Sequence, residues 1–172
     1  INYARMARLR PVTGYKESFD WTEGVEAPKD DGIAIINIKT GEKKILISFE
    51  QMAKGLDRQG FDVKNRNLFI NHTLWSRDGQ WIYFFVRAGW KSDKDGRDGL
   101  NAPCSIKVDG SQFIAGHQYI GGHPEWFHDT QIIGSWNNQQ VVYDILKKKV
   151  ITTLGSPEIF PKPGGDISLS PN

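Results

Sequence analysis

His72-Thr73-Leu74-Trp75-Ser76-Arg77-Asp78, His123-Pro124-Glu125-Trp126-Phe127-His128-Asp129 and Asp166-Ile167-Ser168-Leu169-Ser170-Pro171-Asn172 are three versions of one pattern. Each opens on a potential metal ligand, carries a large apolar residue three places on, and reaches a turn residue six places on. The copies are offset by 51 and 43 residues. A period of roughly 40 to 50 residues with short strands in each unit predicts β-propeller blades.

Two hairpin types alternate around these copies. In the first, Trp75-Ser76 leads through Asp78-Gly79 into Trp81 to Val86, and Asp-Gly between two apolar runs is a strong hairpin signal. The second runs from Gly32 to Ile38, through Lys39-Thr40-Gly41-Glu42, to Lys43–Ser48. It recurs around Ser105–Val108 with Asp109-Gly110, and around Gln140–Ile145 with Lys147-Lys148. Inner and outer hairpins in alternation spell a four-stranded antiparallel blade. Strands are expected over 32–48, 68–86, 104–115, 123–136 and 140–153, with helix confined to about 49–56. Trp75, Trp126 and Leu169 should occupy matching places. Residues 14–31 and 88–103 read as long polar loops.

The expected fold is all-β: one segment of a propeller over residues 1–172, of about three to four blades. It divides into an irregular part over 1–31 and repeats over 32–86, 87–136 and 137–172. Closed propellers need four blades or more. The chain therefore reads as part of a larger one, whose exposed edges are covered by further blades or by another copy.

Composition is that of a globular domain, with 38% hydrophobic and 24% charged residues. A net charge of +2 with scattered Lys and Arg gives no case for nucleic acid. The Lys147-Lys148-Lys149 run falls at a turn. No apolar run approaches the roughly 18 residues of a membrane span. The single cysteine, Cys104, forms no intrachain disulfide, which leaves the compartment open between periplasm and cytoplasm. The chain opens on Ile1, which is compatible with a leader already removed. Gly-x-Ser-x-Gly, the P-loop, Gly-x-Gly-x-x-Gly and Cys-x-x-Cys are all missing from the sequence, which argues against serine-hydrolase, nucleotide and zinc-ribbon chemistry. Ser76-Arg77-Asp78-Gly79-Gln80-Trp81 fails the spacing of a sialidase Asp-box.

If the register holds, His72, His123 and Asp166 open equivalent inner strands and converge near the propeller axis. Two imidazoles and a carboxylate suit Mn²⁺, Zn²⁺, Ca²⁺ or Fe²⁺. The plainer alternative is that these polar residues cap strand ends at the channel mouth. Strand alternation puts His123 and Glu125 on one face, where Glu125 would orient a ligand imidazole, and Pro124, Trp126 and His128 on the other. His117, ahead of Gly121-Gly122, is a second candidate base and otherwise a surface residue.

Trp75-Ser76-Arg77-Asp78-Gly79-Gln80-Trp81-Ile82-Tyr83 and Leu169-Ser170-Pro171-Asn172 resemble the Ser-Pro-Asp-Gly repeat of TolB-like, or WD40-like, bacterial propellers. Ile36 to Glu42 is similar to that repeat's companion Asp-x-x-Thr-Gly-Glu piece. Within that superfamily, Arg8-Leu9-Arg10-Pro11, Gly14-Tyr15, Asn71-His72 and Gly122-His123-Pro124-Glu125-Trp126 resemble the group containing oligogalacturonate lyases. That resemblance implies a seven-bladed propeller with His and Gln metal ligands, a catalytic His and an Arg in a central cleft. The group's Gln and its closely spaced His pair have no counterpart assigned here.

The reaction implied is metal-assisted β-elimination on an acidic oligosaccharide. It requires a base, for which His72 and His117 are candidates, and a cation on the carboxylate, supplied by the metal with Arg8, Arg10 or Arg87. Asn71, Glu125 and Trp90 would contact substrate, and Trp126 and Tyr119 are further stacking candidates. The rival reading is a non-catalytic propeller that binds protein or glycan.

Overall fold

The protein, described here from a computed structural model covering residues 1–10, 15, 17–89 and 99–169, is built from three antiparallel sheets. The first pairs β1 (Gly32–Ile36) with β2 (Lys43–Ser48). The second is a meander of β3 (Phe69–Trp75), β4 (Trp81–Ala88), β5 (Leu100–Lys107) and β6 (Phe113–Ala115). The third repeats it with β7 (Gly121–Trp126), β8 (Gln131–Trp136), β9 (Gln139–Asp144) and β10 (Lys149–Leu154). The three sheets do not close on one another. Among the described residues no helix is long and apolar enough to cross a membrane.

Turn chemistry fixes these hairpins. Ser76 Oγ accepts from Trp81 N at 2.8 Å, and Asp78 Oδ1 accepts from Ser76 Oγ at 2.5 Å and from Gln80 N at 3.0 Å. Gly79 supplies the left-handed residue with φ 69°. Between β8 and β9 both Asn137 and Asn138 have positive φ, the two-residue hairpin turn whose twist suits antiparallel strands.

β4 is buried along its whole length because both of its faces are covered. Ile82, Phe84 and Val86 pack with Ile33, Ile47 and the apolar side of α2 (Phe49–Asp57), including Met52 and Leu56. Trp81, Tyr83 and Phe85 pack with Ile120, Trp126, Ile132, Val141 and Tyr143 of the third sheet. Period-two alternation thus feeds two cores from one strand. α2 starts where expected, on a reciprocal capping box between Ser48 and Gln51.

Four expectations need correction. A second helix, α1, spans Tyr3–Leu9, capped by Asn2, whose side chain accepts from Arg5 N. Seven residues are too few for intrinsic helicity, and tertiary contacts of Arg5, Met6 and Leu9 hold it. β5 begins at Leu100 rather than 104, because it pairs with β4 out to Ala88. The repeat boundaries expected at 86/87 and 136/137 fall inside sheets, since β4 pairs with β5 and β8 with β9 across them. Asp166 to Leu169 form no strand.

Trp75 and Trp126 do match in register, each ending the first strand of its sheet opposite Ile82 and Ile132. Their surroundings differ. Trp126 is 1% exposed and donates Nε1–H to Leu74 O of the preceding sheet at 3.0 Å. Trp75 is 52% exposed. Leu169 is half-buried.

The seam between β8 and the neighbouring β7, with Ile120 just before it, admits no extra atoms at Gly134. A Cβ there would lie 2.4 Å from Ile120 Cγ2, 2.9 Å from Gly121 O and 3.2 Å from Pro124 Cβ. Gly134→Ala should therefore cost about 1–3 kcal/mol of overpacking strain. Thermal unfolding will show this as a lowered midpoint, whereas an unchanged midpoint would mean the seam is looser than described.

Candidate functional site

The first strand of each four-stranded sheet breaks register at the same place. The β3–β4 ladder slips between Asn71 and Leu74, and the β7–β8 ladder between Gly121 and Glu125. Each slip carries a histidine at positive φ, His72 at 57° and His123 at 50°. A β-bulge re-aims the side chains it carries, and non-glycine residues in this region cost on the order of 1 kcal/mol or more. The surroundings maintain that strain twice, at equivalent points of the repeat.

The bulge also corrects the facing expected from simple alternation. His123, Pro124 and Glu125 all line one cleft, while Trp126 turns into the core. The cleft has a volume of about 440 Å³ and is lined also by Arg10, His72, Phe85, Arg87, Asn101, Tyr119 and Asp166. The rings of His72 and His123 are 5.0 Å apart, and His123 Nδ1 contacts the Asp166 carboxylate. Gly122, at φ 70°, lets the chain bearing Asp166 approach: a Cβ there would lie 2.9 Å from Gly164 Cα. His72, His123 and Asp166 thus line one cleft, with Asp166 reaching it from a segment that forms no strand.

Phe85 forms the floor. His72 meets its ring edge-on at 6.0 Å, Tyr119 lies at 5.5 Å, and the Arg87 guanidinium carbon sits 5.1 Å from its centroid. Arg87 Nε donates to Asn101 Oδ1 at 2.9 Å across the β4–β5 ladder, and Tyr119 lines the same cleft. Burial lowers the Arg87 pKa, and Tyr119 opposes that shift. Burial, Arg87, His123 and Arg10 together hold the His72 imidazole below the ordinary value of 6.5, with Asp166 acting weakly in the other direction. That shift favours the neutral imidazole. Glu125 Oε1 accepts from Trp126 N at 2.7 Å.

The remaining sequence candidates lie elsewhere. Arg8 pairs with Asp20 at 2.8 Å and is not part of the cleft lining. His117 stacks on Phe61 at 4.2 Å and bonds Gln59 O through Nε2 at 2.8 Å, so it is no base for this cleft. Asn71 is buried beside His72, its Oδ1 without a hydrogen-bond partner. Trp90 lies outside the described residues. Phe85 and Asn101 were not anticipated. Alternation along β4 signals Phe85, and Asn101 becomes visible only as the cross-strand partner of Arg87.

Protein-family models, curated proteins and solved structures were each compared with the chain, and none matches.

The expected metal fits this arrangement poorly. Among the described residues no three His, Cys, Asp or Glu side chains form a ligand group. Asp166 is engaged with His123, and the charges of Arg87 and Arg10 bear on His72. Two cations beside a neutral imidazole suit an anion better than a divalent cation. The cleft can hold a carboxylate against guanidinium groups, present a base next to it, and meet hydroxyls with Asn101 and Glu125.

Proposed function

We propose that the sheets are blades of a TolB-like propeller and that the cleft binds an acidic oligosaccharide and cleaves it by β-elimination. The observation that carries this reading is His72, a neutral base, beside Arg87 and Arg10 in one cleft. The guanidinium groups take the uronate carboxylate, which makes the adjacent C5 proton more acidic by stabilising the charge that develops as it leaves. His72 accepts that proton. The arginines perform the neutralisation otherwise expected of a metal, so no step passes through one. Phe85, 2% exposed, closes the bottom of the cleft beneath His72, Tyr119 and Arg87.

Elimination creates a C4=C5 double bond conjugated to the carboxylate, and its ultraviolet absorbance reports turnover directly. The full chain with uronate oligomers should generate that signal in the presence of a chelator. Binding of the oligomers without any absorbance change would favour the non-catalytic, glycan-binding alternative.

A further inference from the structure

We infer that Tyr119 is the acid that protonates the departing sugar oxygen, an inference that rests on the elimination reading above. Elimination needs a proton donor as well as a base, because an unprotonated sugar alkoxide is a poor leaving group. Among the described residues lining the cleft, few groups are placed to supply that proton. Glu125 is turned to the Trp126 amide, Asp166 is engaged with His123, and His123 stands beside His72 on the base's own side. Asn101 and the two arginines have no proton acidic enough to give.

Tyr119 does. It lies in the connection between β6 and β7, and its ring is 45% exposed. Gly121 seats the ring closely: a Cβ on Gly121 would come within 2.8 Å of Tyr119 Cε1. Tyr119 and His72 both pack against Phe85, at 5.5 and 6.0 Å, and both line the cleft, so a sugar held in it meets a base and a hydroxyl donor together. Arg87 lines the same cleft and, like Tyr119, lies against the Phe85 ring, so a guanidinium stands near the phenolate left after transfer.

The step balances. His72 takes the C5 proton, and the C5–H electron pair becomes the C4=C5 bond. The C4–O bond breaks with its pair going to oxygen, and that oxygen takes the Tyr119 proton. The proton on His72 then returns to the Tyr119 phenolate through water. The products are an unsaturated uronate and a shortened saccharide, with no oxidant or reductant consumed.

Tyr119→Phe keeps the ring and removes only the proton, and a thermal melt checks that the fold is retained. On uronate oligomers the variant should lose about 100-fold or more in kcat, the usual contribution of general acid catalysis, with KM nearly unchanged. On a 4-deoxy-4-fluoro uronoside, fluoride leaves without protonation, so fluoride release should be equal for the variant and the wild-type protein. Wild-type kcat on oligomers in the variant, or an equal loss on both substrates, would overturn the assignment while leaving the elimination reading in place. Failure of the wild-type protein to act on either substrate would overturn both.

Discussion

Replacing Arg5 by methionine should cost about 3 kcal/mol of stability, a large share of what a domain has. Arg5 is fully buried in α1. Its Nε donates to Leu68 O at 2.6 Å, Nη1 to Val25 O at 3.0 Å and Thr22 Oγ1 at 2.9 Å, and Nη2 to Glu26 O at 2.6 Å. The guanidinium also lies 4.9 Å from the Phe49 ring centroid. One side chain therefore joins the amino-terminal helix, residues 22–26, the entry to β3 and the start of α2. Methionine fills much of the volume and removes the burial cost of the charge. It leaves the buried Leu68 and Thr22 acceptors without their donor, and that penalty decides the sign. Arg5→Lys should recover part of the loss, since one ammonium cannot span the same fork of acceptors. Thermal melting should show a midpoint lowered by roughly 6–12 °C for Arg5→Met, at about 2–4 °C per kcal/mol for a chain of this size. A midpoint within a degree or so of the wild type would mean that Arg5 is not the tie described. Because α1 leads directly into Arg10, the same variant should weaken the cleft.

His72→Gln should lower elimination by roughly 100- to 10,000-fold, the range of a lost general base. The pH dependence supplies the finer test. The base must be deprotonated to act, and its pKa is depressed from 6.5, first by burial and then by Arg87, His123 and Arg10. The kcat/KM profile should therefore rise through an inflection below 6.5 and be level at neutral pH. The unfolded chain binds this proton more tightly than the folded one, so the same group contributes to stability above about pH 6.5 and that contribution is lost as pH falls through the depressed value. In Arg87→Met one depressing charge is gone, and an NMR titration of the His72 imidazole should show its pKa move up towards 6.5. An unmoved pKa would separate Arg87 from the base electrostatically and weaken the account of the cleft.

The hairpins were legible because each carries its own instruction, as in Ser76 to Gly79 or the period-two run of β4. The matching of His72 and His123 was legible for a related reason, since equal distance from Trp75 and Trp126 fixes equal place in a repeat, whereas Asp166 reaches the cleft from a segment that forms no strand. The bulges were not. A bulge inserts residues without changing composition, and the one in β7 brought Pro124 into the cleft against the alternation rule. α1 was hidden because its stability comes from the distant partners of Arg5 rather than from its own seven residues. Asn101 was hidden by the charged run before it, which made the start of β5 look like loop. His117 was misplaced because sequence does not say which way a connection turns, and here Phe61 and Gln59 capture it.

The central claim is that the cleft recognises a carboxylate through Arg87 and Arg10. Calorimetric titration of the full chain, with chelator present, tests it by comparing a uronate oligomer with its neutral hexose counterpart of the same length and linkage. The account predicts binding of the uronate, little or none of the neutral sugar, and loss of the uronate signal in Arg87→Met. Equal binding of both sugars, a uronate signal that vanishes in chelator, or undiminished uronate binding by Arg87→Met would contradict it.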